Sequence, residues 1–317
     1  MAQHTRALFL TVMMVLMPMA GCTTAPAMNR PALEGESLEV VESPCSLPTQ
    51  SLVQSNTVLS VNGVDRLFRL SVPASEAGTE LPLIIAFHGG DMAEEDFPQQ
   101  QDFDALGEEN DFIMAYAVAE EGRTAAEGEW YLNTAATSRD DNNFADAIVD
   151  ALSDTYCIDQ TRLYATGYSL GSMFTYEIAC QMNSRFAAVA SVAGTMPVEP
   201  ESCYLYSDVA VMHIHGKLDL IIDYDDDWDW KDGEHEGVGT MSSIPGLIED
   251  WAVRANCQER VSHYHLDVEH IVHSECSGSV RIEHHGMELN GHPWPEEVAG
   301  TNTAELIWRF LRQFNHG

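Results

Sequence analysis

Ser169 stands between two glycines in Gly167-Tyr168-Ser169-Leu170-Gly171. A serine hydroxyl is a weak nucleophile until a neutral imidazole takes its proton, and that imidazole needs a carboxylate to fix its tautomer. Downstream the chain offers both, Asp219 in His215-Gly216-Lys217-Leu218-Asp219 and His292 in Asn290-Gly291-His292-Pro293-Trp294-Pro295. Singly, each has a plainer explanation: a serine in a glycine-flanked turn, an acid in an acid-rich loop, a core histidine. Together they fill the roles of nucleophile, orienting acid and general base that acyl transfer through a covalent intermediate requires. The oxyanion of that reaction needs amide donors, and losing one typically costs about 2.7–4 kcal/mol of transition-state stabilisation. Leu170, the residue after the nucleophile, supplies one such amide. Gly90 of the loop His88-Gly89-Gly90 is the expected second donor, with Asp91 as the alternative, and His88 is read as a brace for that loop.

These residues fall where an alternating α/β chain would present them. Apolar runs at 83–87, 112–118, 162–166, 187–193 and 209–214, with a shorter one at 280–283, read as strands. Apolar residues at helical spacing predict helices over 144–156, 171–182, 241–255 and 303–314. Runs at 58–61 and 64–72 flank Asn62-Gly63, a strong hairpin signal. Short buried strands alternating with helices imply a mostly parallel sheet covered on both faces, with an antiparallel hairpin at its N-terminal end. Ser169 then sits in a strand–turn–helix elbow, and Asp219 and His292 follow later strands in the Ser…Asp…His order of the α/β-hydrolase fold. In such sheets the carboxyl ends of the strands form the active edge.

The chain of 317 residues has 50 acidic and 15 basic side chains, a formal net charge of −35. That balance argues against nucleic-acid binding, which needs clustered Lys and Arg, and against basic-patch docking on anionic lipid. At the N-terminus, Arg6 precedes an apolar run over 7–17, too short to span a bilayer but suited to an export signal. It closes in Met19-Ala20-Gly21-Cys22, which resembles a bacterial lipobox with Met in place of the commoner Leu. The expectation is a signal over 1–21, lipidation of Cys22 as an outer-membrane anchor, a tether over 22–55 and a catalytic domain over 56–317. Ordinary secretion, with cleavage after Ala25 or Ala27, is the alternative. Of the 7 cysteines, removing Cys22 leaves an even set, implying up to three disulfides in an exported protein. Only Cys257 with Cys276 suggests itself as a local pair.

No two of these cysteines have zinc-ligand spacing, and no metal or other cofactor is expected. Two weaker patterns remain. Asp223, Asp225, Asp227, Asp229 and Glu234 resemble a calcium loop, but Trp228 occupies the position where such loops need glycine, so a solvated insertion is the expectation. His263 and His265 alternate in a strand and face one side, and are read as surface histidines.

The His88-Gly89-Gly90 loop, the stretch 162–169, the stretch 186–194, His215-Gly216 with Asp219, and above all Gly291-His292-Pro293-Trp294-Pro295 carry a family likeness. The chain from about residue 56 onward resembles the polyhydroxybutyrate-depolymerase and feruloyl-esterase branch of the α/β-hydrolases, which includes carbohydrate esterases. The resemblance implies a secreted serine esterase without cofactor, with Ser169 as nucleophile, Asp219 as acid and His292 as base. Its implied partners are carboxylic esters, polymeric or small: feruloyl or acetyl groups on polysaccharide, hydroxyalkanoate polyester, or aryl esters. Ser172 and Asp223-Tyr224 depart from the family's second elbow glycine and its Pro-Tyr after the acid. Trp294 and Trp130 are candidates for the acyl pocket, with core packing as the alternative for either. Two rival functions are a peptidase using the same three residues and a non-catalytic surface-binding lipoprotein. Parallel ester and peptide assays separate the first, and fluorophosphonate labelling of Ser169 the second.

Overall fold

The computed structural model describes residues 33–90, 97–120, 130–133, 140–230 and 238–316. Its centre is a ten-stranded sheet in the order β1-β2-β4-β3-β5-β6-β7-β12-β11-β10. The strands are β1 (Leu52–Val61), β2 (Val64–Val72), β3 (Leu81–Phe87), β4 (Ile113–Ala117), β5 (Ile158–Tyr168), β6 (Ala188–Val192) and β7 (Ala210–Gly216). A short pair, β8 (Trp228–Asp229) and β9 (Thr240–Met241), stands apart, and β10 (Glu259–His265), β11 (Val268–Ser274) and β12 (Ile282–Met287) complete the sheet. From β4 through β12 the six central strands run parallel. The Asn62-Gly63 hairpin pairs antiparallel at one edge, as its turn residues predict. The opposite edge carries a second antiparallel hairpin, β10 with β11, of which the sequence patterns indicated only a strand at His263 and His265.

Every residue of β3, β4, β6 and β7 is buried, as strands covered on both faces must be. The helices are α1 (Gln100–Asn110), α2 (Asp140–Thr155), α3 (Leu170–Gln181), α4 (Ile244–Arg254) and α5 (Thr303–Leu311). α5 begins where Asn302 accepts a hydrogen bond from the Glu305 amide at 3.2 Å, satisfying one of the helix's orphan donors. α3 is buried almost throughout, because it lies against β5 and β6 beneath the elbow.

Three disulfides join Cys45 to Cys157, Cys180 to Cys203, and Cys257 to Cys276. The first corrects part of the expected tether. Cys45 and the backbone bonds from Val41 N to Asp154 O and from Glu36 N to Asn56 O, both 2.8 Å, hold residues 33–51 on the domain. Residues 1–21, expected to form an export signal, and Cys22 lie outside the described residues. No helix among the described residues is long and apolar enough to cross a membrane.

Candidate active site

β5 ends at Tyr168, the chain turns through Ser169, and α3 starts at Leu170. Ser169 sits at φ 51°, ψ −118°, a backbone conformation that costs a non-glycine residue energy and projects the hydroxyl off the turn. The turn is tight because α3 begins against the end of β3. A Cβ on Gly171 would stand 2.1 Å from the Phe87 carbonyl oxygen and 2.3 Å from that of His88. The elbow glycine is therefore required by the approach of two backbones.

The loops after β7 and β12 bring the two partners to this serine. His292 Nε2 lies 2.8 Å from Ser169 Oγ, and His292 Nδ1 lies 2.7 Å from Asp219 Oδ2. An ionised carboxylate only accepts, so Nδ1 carries the proton and Nε2 is free to accept the serine's. Asp219 is buried, and its other oxygen accepts the amides of Ile221 and Ile222 at 2.8 and 2.9 Å. Burial alone would raise its carboxyl. Hydrogen bonds from His215 and His292, and then from the two amides, outweigh that and hold it well below the usual carboxylate range.

His215, to which the sequence patterns assigned no role, is the second imidazole on this acid, with Nε2 3.2 Å from Asp219 Oδ2. The same Nε2 lies 3.2 Å from the Ile222 carbonyl, so it must be the protonated nitrogen. His215 Nδ1 then accepts from His213 Nε2 at 3.1 Å, and His213 Nδ1 accepts from the Tyr176 hydroxyl at 2.7 Å. Burial, with repulsion from His215 and His284, holds His213 well below its ordinary value and therefore neutral. Four buried groups thus line up with every donor pointing toward Asp219. Ser172, at the position where the family often has glycine, joins the far end through Ser191, whose hydroxyl is 3.2 Å from His213 Nδ1. At the second departure Asp223 stands for the family's proline, and Tyr224 beside it donates to His284 Nε2 at 2.8 Å. The sequence signals for His215 were its place in the family-like His215-Gly216 motif and its position four residues before Asp219.

The Leu170 amide is the first of α3, where backbone N–H groups have no acceptor within the helix. Gly90 is half-buried at the end of β3's loop, and Asp91 lies outside the described residues. His88 braces that loop: its Nδ1 donates to the Gly89 carbonyl at 2.7 Å and its Nε2 accepts the Ala119 amide at 3.0 Å. Trp130 is 3% exposed, donates to the His88 carbonyl at 2.9 Å and stacks on Phe174, so it is a core residue under the loop rather than a pocket wall. Trp294 is half-buried beside Tyr168 and Phe97, and its indole donates to Gln99.

The acidic run does not gather its carboxylates. Asp223 accepts the amides of Asp225 and Asp226, Asp227 accepts the Ser243 amide, and Asp229 accepts the Thr240 hydroxyl. Glu234 lies outside the described residues. His263 and His265 do not share a site, since His263 faces His270 on the neighbouring strand.

Residues 67–264 match the family model described as esterase PHB depolymerase. The chain belongs to that family. Over 261 residues it is 25% identical to a bifunctional acetylxylan esterase/xylanase of Neocallimastix patriciarum, a match covering 80% of this chain and 34% of that protein. Over 92 residues it is 34% identical to feruloyl esterase C of Emericella nidulans, covering 29% of this chain and 33% of that one. The chain spans about a third to a half of the length of the curated relatives it matches. The acetyl xylan esterase from Aspergillus awamori has the same fold, with a TM-score of 0.59 at 16% identity over 81% of this chain and 99% of that one.

Proposed function

We propose that this chain is a serine carboxylic-ester hydrolase working through an acyl-enzyme on Ser169. The observation that carries the reading is the file Ser169 Oγ–His292–Asp219, with links of 2.8 and 2.7 Å, ending on a serine at positive φ. Membership in an esterase family supports the same chemistry. Ser169 Oγ bonds to the ester carbonyl carbon while its proton passes to His292 Nε2, and Asp219 stabilises the imidazolium. The carbonyl electron pair moves to an oxyanion facing the amides of Leu170 and Gly90. Collapse breaks the ester C–O bond, and the leaving alcohol takes the proton from His292. Water then repeats the sequence on the acyl-enzyme.

The substrates are esters carried on neutral polymers, with acetyl or feruloyl groups on polysaccharide as the leading class. Names of the relatives support that class, and a net charge of −35 works against polyanionic polymers. Export belongs to the same proposal. Three disulfides support an oxidising compartment, and Met19-Ala20-Gly21-Cys22 supports lipid attachment through Cys22.

A panel of para-nitrophenyl esters of increasing chain length, with methyl ferulate, acetylated xylan and a hydroxybutyrate oligomer, tests the activity. Ser169→Ala is expected to abolish turnover and fluorophosphonate labelling while the melting temperature is retained. An enzyme still active after that change would sink the assignment. Incorporation of labelled palmitate, lost in Cys22→Ser, tests the anchor.

A further inference from the structure

Side chains alternate across β12, so His284 reaches toward Tyr224 while Glu283 and His285 point to the other face of the sheet. On that face β11 sets His270 opposite His285, and β10 sets His263 opposite His270. The ester chemistry uses none of these four residues.

We propose that His270, Glu283 and His285 form a binding site for one divalent transition-metal ion of the zinc class, held by two imidazole nitrogens and one carboxylate oxygen. One ligand atom from each residue lies within 4.8 Å of the other two. Glu283 Oε2 is 3.2 Å from His270 Nε2 and 4.0 Å from His285 Nε2. His285 is 5% exposed, and its buried Nε2 has no hydrogen-bond partner. Buried polar nitrogens are almost always paired, so an unpaired one lying 4.0 Å from a carboxylate oxygen, on a ring stacked with a second imidazole, calls for an explanation.

The surroundings are arranged to orient these ligands. Arg281 binds Glu283 Oε1 at 2.7 Å, which leaves Oε2 to face the two histidines. His263 Nε2 lies 3.3 Å from His270 Nδ1, an outer partner of the kind that fixes a ligand's tautomer. Zinc–nitrogen and zinc–oxygen bonds of about 2.0–2.2 Å in a tetrahedron place donors roughly 3.4 Å apart. The first separation already meets that figure, and the second must close by about half an ångström. The rings of His270 and His285 stack with centroids 4.1 Å apart and planes 11° from parallel, so their in-plane lone pairs do not yet converge. His270, 24% exposed, is the one able to turn about its Cβ–Cγ bond. In the bound state the neutral His270 ring presents Nε2 to the ion and carries its single proton on Nδ1, donated to His263 Nε2. Water fills the fourth position from the solvent side. A nitrogen-rich set of this kind favours Zn²⁺, Co²⁺ or Ni²⁺ over Ca²⁺ or Mg²⁺. The bound ion would fasten β11 to β12, the strand that runs on into the loop bearing His292.

The test uses the full disulfide-bonded chain, stripped with chelator and titrated with Co²⁺. One equivalent is expected to give the intense visible bands of tetrahedral cobalt, which one equivalent of Zn²⁺ displaces while raising the melting temperature. His270→Gln and Glu283→Gln, read independently so that either one folding suffices, should each weaken Co²⁺ binding at least about 10-fold. His265→Gln, on the same hairpin but outside the cluster, should leave it unchanged. Absence of a stoichiometric cobalt spectrum in the wild type overturns the proposal. So does undiminished binding in a folded His270→Gln or Glu283→Gln variant.

Discussion

Replacing Asp219 by asparagine is the sharpest probe of the proposed mechanism, because the structure dictates which way the new side-chain amide must face. Asp219 Oδ1 accepts two backbone amides, from Ile221 and Ile222, so the carbonyl oxygen of the introduced amide must occupy that place. The amide nitrogen is thereby forced into the position of Oδ2, where His292 Nδ1 now donates at 2.7 Å. Two donors cannot face each other, and the ring answers by moving its proton to Nε2. That nitrogen faces Ser169 Oγ at 2.8 Å and can no longer accept the hydroxyl proton. Wrong-tautomer histidine in a serine triad typically lowers kcat by about 10⁴, roughly 5.4 kcal/mol of barrier. The volume change is negligible, so KM should stay within about threefold while the fall appears in kcat. Steady-state hydrolysis of para-nitrophenyl acetate, with the melting curve and far-ultraviolet dichroism of the same preparation, reads both. A folded Asp219→Asn enzyme retaining more than a tenth of wild-type kcat would show that His292 does not depend on this carboxylate, and the assigned order of proton transfer would be wrong.

His215→Gln removes the second imidazole from the same carboxylate oxygen, and a hydrogen bond to a charged group is worth about 1.5–3 kcal/mol, so kcat should fall roughly 10- to 150-fold with KM unchanged. A KM effect without a kcat effect would contradict a role through Asp219. Acid should weaken the fold through His213: its folded-state titration lies well below the unfolded value near 6.5, so the unfolded chain binds the extra proton and stability drops as pH falls below that value, by up to about 1.4 kcal/mol per pH unit. Asp219 is held below the ordinary carboxylate range and keeps its contribution until pH falls to the unfolded carboxylate value, so urea unfolding at pH 7.5 and 5.5 reads the buried histidines, and His213→Gln should shrink the difference by its own share while His284 and His285, also depressed by burial, retain theirs. Removing the Cys45–Cys157 disulfide, which spans 112 residues, should destabilise by about 4.7 kcal/mol against about 3 for Cys257–Cys276, which spans 19, and denaturant midpoints in the reverse order would refute the loop-entropy account.

Much of this architecture was legible because each central strand is a continuous apolar run and the elbow has its own local grammar. The Asn62-Gly63 hairpin and the three reactive loops were read from their own residues. α1 was not, since Gln100–Asn110 buries only Phe103 and Gly107 and shows little apolar stripe. β10 was legible only as a strand at His263 and His265: all seven of its residues are exposed, so no buried face imposes an alternation that would show its extent or its partner. The second edge hairpin therefore depends on its register with β12 rather than on its own pattern. His215 escaped for a related reason, because its role depends on a loop folding back over four residues. Cys45 and Cys157 are too far apart in the chain for any local rule to pair them.

What sets the 2.7 Å between Asp219 and His292 is the sheet, extended past its nominal end. β7 and β12 pair in parallel up to Gly216 and Met287, and the ladder then continues into both loops. Lys217 N donates to Met287 O and Leu218 N to Asn290 O, each at 2.8 Å. Gly216 permits this, because a Cβ there would lie 2.3 Å from the Asn290 oxygen and 2.4 Å from that of Gly291. The acid and base loops are thus clamped to one another before either side chain is considered. Positioning groups on paired backbone in this way lets two loops hold a catalytic separation without relying on loop rigidity. The same logic applies to the serine, whose amide donates to Val192 O at 2.9 Å and so ties the elbow to β6. All three residues therefore inherit their spacing from strand register, which is why Leu218, Leu220 and Leu289 around them can stay exposed without loosening the file.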